Sequence, residues 1–265
     1  MPDWLLVLIL GIIEGITEFL PVSSTAHLLI AEKLLPNGEK FVGNDLFNIV
    51  IQCGAVLAVI PLFRSRFAQL RHWRQPEARQ FLAKIAAAFF ITAAGGLILD
   101  KMDFKLPEKA LPVALALLIG GVLFLLIESW LRGRDSTDEV TWRIAVAVGA
   151  GQLLAAIFPG ASRSGTTILL SLLLGLGRPA ATEFSFLVGI PTMLAAGGWK
   201  ILKALRHSTE APPDWWLVFL GAVVAAAVSF VVVKWLLRFV QTHTFVGFGW
   251  YRIVAGGLLL LFFLK

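Results

Sequence analysis

Apolar runs long enough to cross a bilayer recur along this sequence, at 45–63, 81–99, 110–131, 182–204, 214–238 and 245–264. No other feature restricts the fold so severely. In lipid, every backbone N–H and C=O must find its partner inside the protein, so runs of this kind fold as helices. The chain is 58% hydrophobic and 15% charged, against about a quarter charged in soluble domains, which excludes a water-soluble globule. Its net charge of +6 does not indicate a nucleic-acid partner. The basic residues lie between apolar runs, where positive-inside anchors sit. Arg64, Arg66, Arg71, Arg74 and Arg79 crowd one segment with Glu77 as the single acid, which assigns that loop to the cytoplasm. Asp100 to Lys109 then form a mixed-charge outer loop. Trp4, Trp73, Trp130, Trp142, Trp215 and Trp216 stand near run ends and read as interface anchors among membrane lipids. His72, His207 and His243 read as surface residues, and Glu128, at the end of a span, as a snorkelling side chain. Cys53 is the one cysteine, so no intrachain disulfide forms and packing is its expected role. No Lys or Arg precedes the first apolar run, which also carries Glu14 and Glu18, so a cleavable signal is not expected.

Two pairs of segments are too short to span. Residues 4–20 and 24–35 are split by Pro21, and residues 143–158 and 164–176 by Pro159-Gly160. At about 1.5 Å per residue, 24–35 makes a helix of roughly 18 Å, short of a hydrocarbon core of about 30 Å. A re-entrant hairpin satisfies that length. The order is then a hairpin plus three spans, twice over, with repeat one at about 1–131 and repeat two at about 141–265. Three crossings per unit turn the second unit upside down. The expected fold is an all-α integral membrane protein, an inverted-topology repeat of about six transmembrane helices plus two re-entrant helical hairpins. In such folds the site lies where the broken helices meet near the midplane. Lys200, Lys203 and Arg206 then fall outside, against the positive-inside rule.

Both breaks are polar. The first gathers Glu14, Glu18, Ser23, Ser24, Thr25 and His27; the second gathers Ser162, Arg163, Ser164 and Thr167. Glu14 and Glu18 share one helix face at a spacing of four. Pro21 stops that helix, and the hydroxyls that follow are natural caps for a new one. Two helix starts at membrane depth offer free N–H groups to an anion such as phosphate. Arg163 adds a planar fork of donors that matches phosphate oxygens, and its charge calls for a partner at Glu14 or Glu18. The set points to phosphoryl chemistry. Ser24 or His27 can attack phosphorus, or His27 can activate water. Glu14 and Glu18 can hold a divalent cation that bridges a diphosphate, orient His27 or transfer protons.

These motifs resemble the undecaprenyl-diphosphate phosphatase, or bacitracin-resistance, family. The match is Glu14-Gly-x-Thr-Glu-Phe-Leu-Pro-Val-Ser-Ser-Thr-x-His27 with Pro159-Gly-x-Ser-Arg-Ser-Gly-x-Thr167, extending to Glu183-Phe-Ser-Phe186 and Tyr251-Arg252. The resemblance implies a membrane hydrolase that removes the terminal phosphate of a C55 polyprenyl diphosphate, recycling the lipid carrier for peptidoglycan. It implies a divalent cation, Mg2+ or Ca2+. It also implies a multi-pass protein of the bacterial cytoplasmic (inner) membrane, with its site facing the periplasmic or outer side. Glu14, Glu18, Ser24, His27, Ser162, Arg163, Ser164 and Thr167 fall on the family's active-site positions, and Ser23 and Thr25 are carried as phosphate contacts. At Ile91-Thr92 relatives often have Ile-Pro, which puts a kink in the 81–99 span in doubt. Tyr251 and Arg252 head the last span as phosphate contacts or anchors. The competing reading is an inverted-repeat transporter or flippase of polyprenyl phosphate that does no hydrolysis. Whether the chain forms a homodimer is left open.

Overall fold

Pro21 and Pro159 interrupt the chain where the apolar segments are short, and the helices on either side stop and restart around them. The computed structural model describes residues 1–38, 41, 45–72, 74–102, 104, 109–207 and 214–263. Trp73, residues 103 and 105–108 of the outer loop, and the side chain of His207 lie outside the described residues. The first hairpin is α1 (Asp3–Thr17) and α2 (Ser24–Leu34). The three helices α3 (Asp45–Val59), α4 (Arg64–Leu70) and α5 (Pro76–Lys101) follow, then α6 (Ala110–Trp130). The second hairpin is α7 (Trp142–Ile157) and α8 (Arg163–Leu173), and α9 (Arg178–His207), α10 (Trp215–Phe239) and α11 (Val246–Phe263) complete the order. The chain is all-α and multi-pass: among the described residues five stretches, Leu46–Gln69, Pro76–Lys101, Ala110–Trp130, Arg178–Lys203 and Trp215–Phe239, are long and apolar enough to cross a membrane, and the sixth expected run, 245–264, gives a shorter apolar helix, Val246–Leu261.

The sequence reading ends the first span at residue 63 and places the arginines in a loop. Pro61 instead tightens the chain into a 3₁₀ turn at Ile60–Phe63, after which α4 carries Arg64 and Arg66 onward on a helix. Pro191 sits inside α9 without ending it. In α5 the residue at the doubtful kink, Thr92, spends its hydroxyl on carbonyls: it donates to Ala88 O at 2.9 Å and Gly149 O at 3.0 Å. The helix runs on unbroken through it.

The packing exchanges elements between halves. α1 lies against α10, and α7 against α5, so each hairpin's first limb rests on the second long helix of the other half. The contacts match in detail. Ser229 of α10 donates to Gly15 O of α1 at 3.0 Å, as Thr92 of α5 donates to Gly149 O of α7. A Cβ at Gly15 would stand 2.8 Å from Ala225 O, and one at Gly149 2.9 Å from Ala88 O. Small residues let membrane helices approach this closely where no hydrophobic force between helices exists. α6 and α11 cross the same way, with Gly121 and Gly249 each against the other's carbonyl.

Glu128 does not snorkel. It is 1% exposed, pairs with Arg178 through both carboxylate oxygens and accepts the Phe245 N–H at 2.8 Å. One carboxylate thereby joins the end of α6 to the starts of α9 and α11. Trp4, Trp130, Trp142, Trp215 and Trp216 are all exposed at helix ends, as the anchor reading requires. His72 and His243 are on the surface.

Candidate active site

Each break ends in a serine held in the same sparsely populated conformation. Ser23 has φ 74° and ψ 100°, and Ser162 has φ 69° and ψ 117°. Each side chain caps the helix it precedes: Ser23 Oγ accepts the Ala26 N–H at 3.4 Å, and Ser162 Oγ the Gly165 N–H at 3.2 Å. Such backbone costs on the order of 1–3 kcal/mol and persists only where the surroundings dictate it. Here it turns the chain so that the next residue, Ser24 in one hairpin and Arg163 in the other, heads its helix at a shared cavity of about 110 Å³. Thr25, Gln52, Gly160 and Ser162 also line it, with Glu18.

The two helix-heading residues meet on one carboxylate. Ser24 Oγ donates to Glu18 Oε2 at 2.7 Å, and Arg163 Nη2 donates to Glu18 Oε1 at 3.2 Å. Gln52 Nε2 adds a longer bond to Oε2, 3.3 Å. The Arg163 side chain is only 14% exposed, and its Nη1 has no partner among the described residues. A Cβ at Gly189 of α9 would overlap the guanidinium, so that glycine is what gives Arg163 its place. Glu14 is 1% exposed beside Glu18 and Gln52, and neither of its oxygens has a hydrogen-bond partner among the described residues. A buried carboxylate left like this needs a cation or a proton. Among the described residues no three His, Cys, Asp or Glu side chains converge as a metal cage. The donor set is two carboxylates, which suits a hard divalent cation that takes its other ligands from phosphate and water.

Ser24 and His27, the two candidate nucleophiles, have separate partners. His27 does not bond Ser24. Its Nδ1 lies 2.7 Å from Ser23 O, and since a carbonyl can only accept, Nδ1 carries the proton. Nε2 then accepts from the Tyr251 hydroxyl at 2.6 Å, and the two rings stack 5.6 Å apart, 6° from parallel. His27 therefore stands at the edge of the site, tied to α11. Ser164 and Thr167 are not at the cavity wall. Ser164 Oγ donates across the hairpins to Leu20 O at 3.1 Å. Thr167 faces α9, 2.5 Å from Ser185 Oγ, and bonds the Arg163 carbonyl at 2.8 Å. Both hold the second break in place.

Sequence reasoning passed over Gln52, although a lone amide in an apolar run was a signal. It left Arg252 undecided. That side chain is wholly buried and donates to Pro21 O, Ala116 O, Gly160 O and Ala161 O, each at 3.1–3.2 Å.

The chain is similar to known proteins over nearly its whole length. The family model described as bacitracin resistance protein BacA matches residues 7–258. A protein of Rhizobium etli named undecaprenyl-diphosphatase is 48% identical over 260 residues, covering 97% of this chain and 96% of the relative. Proteins of the same name from Xanthomonas euvesicatoria pv. vesicatoria and Xanthomonas oryzae pv. oryzae are 46% and 47% identical over 263 residues, 98% of this chain and 97% of each relative. With both motifs, the fold and the full-length match in hand, the chain belongs to the bacitracin resistance protein BacA family.

Proposed function

We propose that this chain is an undecaprenyl-diphosphatase, hydrolysing the terminal phosphate of a C55 polyprenyl diphosphate to give the monophosphate carrier and inorganic phosphate. The observation that carries this is the convergence of a hydroxyl and a guanidinium on Glu18, inside a chain whose relatives bear that name. A cavity of about 110 Å³ has room for a few water-sized groups, which suits a phosphate head and leaves the prenyl tail to the bilayer. Arg163 turns its fork from Glu18 onto the phosphoryl oxygens, where charge grows in the transition state. Glu18, released from that pair, still accepts the Ser24 hydroxyl. Ser24 Oγ attacks the terminal phosphorus as its proton passes to Glu18 Oε2. The bond from phosphorus to the bridging oxygen breaks, and the prenyl monophosphate leaves. Water then cleaves the phosphoserine, and phosphate departs as Ser24 recovers its proton. Mg2+ or Ca2+ held by Glu14 and Glu18 would neutralise the diphosphate.

Thr25 and the free N–H groups of α2 and α8 supply further phosphate contacts, and His27, bonded to Tyr251, is the alternative nucleophile or base. The site faces the periplasmic or outer side of the inner membrane, the hydrolysis serves carrier recycling in peptidoglycan synthesis, and it confers bacitracin resistance.

Phosphate release from polyprenyl diphosphate by purified protein in detergent tests the proposal. Wild type should release phosphate with Mg2+ or Ca2+ and stop with chelator, and Arg163→Ala should lose at least about 10²-fold in kcat. A folded wild type that releases none with any divalent cation overturns the hydrolase and leaves a non-hydrolysing polyprenyl phosphate carrier.

A further inference from the structure

Breaking a helix at membrane depth leaves carbonyls without intrahelical partners, and their negative ends need a donor. The first break leaves Pro21 O, two residues before Ser23; the second leaves Gly160 O and Ala161 O, just before Ser162. Arg252 of α11 reaches all three, through Nη1 to Pro21 and Nη2 to Gly160 and Ala161. It has no carboxylate partner among the described residues. Its charge is carried by carbonyl dipoles alone, with Ala116 O of α6 as the fourth. Gly160 lines the cavity and Arg252 does not, so the guanidinium stands directly behind the wall. The fold makes room for it deliberately. A Cβ at Gly120 of α6 would run into Nη2 and come within 2.8 Å of Cζ, and one at Gly165 of α8 would stand 3.2 Å from Nη1.

We infer that Arg252 is a positioning residue for the reaction: it ties the two breaks to each other, setting the distance between the Ser24 and Arg163 helix starts, and supplies their carbonyls with a donor. This rests on the hydrolase reading. One planar group bonded to both breaks fixes their separation as no pair of independent caps would. A lysine keeps the charge but cannot hold three carbonyls in a single plane. A displacement of about 1 Å at reacting groups can cost about 10²-fold in rate.

The test compares Arg252→Lys and Gly120→Ala with wild type, measuring kcat, KM and thermal unfolding in detergent with a divalent cation present. Gly120→Ala leaves the arginine in the chain, favours the helix intrinsically and pushes the guanidinium off its carbonyls. Both variants should fold, keep KM within about 3-fold and lose about 10–100-fold in kcat. Unchanged kcat in Arg252→Lys overturns the inference, as does a loss that only follows the folded fraction. Inactive wild type would instead overturn the hydrolase reading itself, so the two failures are distinct.

Discussion

Ser23 and Ser24 are neighbours with separate duties, and the difference comes from one residue of helix phase. Ser23 precedes the helix and turns its hydroxyl back on the Ala26 N–H, while Ser24 heads the helix with its hydroxyl on Glu18. Ser23→Gly suits a positive φ and loses only a cap, a change worth a few tenths of a kcal/mol at N-caps, so its kcat should stay within a few-fold of wild type. Ser24→Ala should lose about 10²-fold or more, in line with removal of an activated nucleophile, and trapping of phosphoserine by acid quench should succeed only in proteins that keep Ser24. A full-rate Ser24→Ala enzyme would move the attack to His27 or to water. Glu128 shows the limit of reading residues one at a time. By position it looked like a span-end acid reaching for water, yet Arg178, fifty residues on in sequence, draws it into the interior.

At the scale of elements, the hairpins work because each first limb is clamped by the opposite half. The tie is a hydroxyl on a glycine carbonyl, with no Cβ to hold the helices apart. Gly15→Leu and Gly149→Leu would each place a side chain against backbone, and overpacking of this kind costs about 1–3 kcal/mol. The two variants should lower the unfolding temperature by similar amounts, since they stand at corresponding crossings, α1 on α10 and α7 on α5. A large fall for one and none for the other would contradict that correspondence. Ser164 belongs here too, because its bond to Leu20 O joins one hairpin to the other. Its place in the motif reflects assembly of the two breaks.

For the whole molecule, the ion pairs sort the helix ends. Arg66 with Glu183, and Arg178 with Glu128, gather the ends of α4, α6 and α9 on one side. Lys203 stands 4.0 Å from Asp100 at the other, so the basic end of α9 shares its side with the end of α5. The arginine-rich segment argues that the first of these sides is cytoplasmic. In a Cys53→Ala background, Arg71→Cys should react with a membrane-impermeant maleimide only after cells are opened, and Met102→Cys, which is 68% exposed in wild type, in intact spheroplasts. The reverse pattern would invert the molecule and move the site opening with it.

Much of this was legible in the chain. Five of the six expected spans, the two pairs of short helices, and the polar residues gathered at Pro21 and Pro159 follow from run length, helix-breaking residues and the cost of burying charge, all of which act over a few residues. That Arg163 pairs with a glutamate of the other break also followed, because an unpaired guanidinium in lipid is too costly to stand alone. Which glutamate it takes, and that Ser24 shares the same carboxylate while His27 leaves it for Tyr251, did not follow. Those choices depend on angles between helices more than a hundred residues apart, set by glycines such as Gly189 and Gly120 whose meaning is the space they leave. The same holds for Arg252, whose partners are backbone carbonyls and so carry no mark in sequence. Local physics determined the parts and the chemistry available to them; the packing of one half against the other decided which atoms meet.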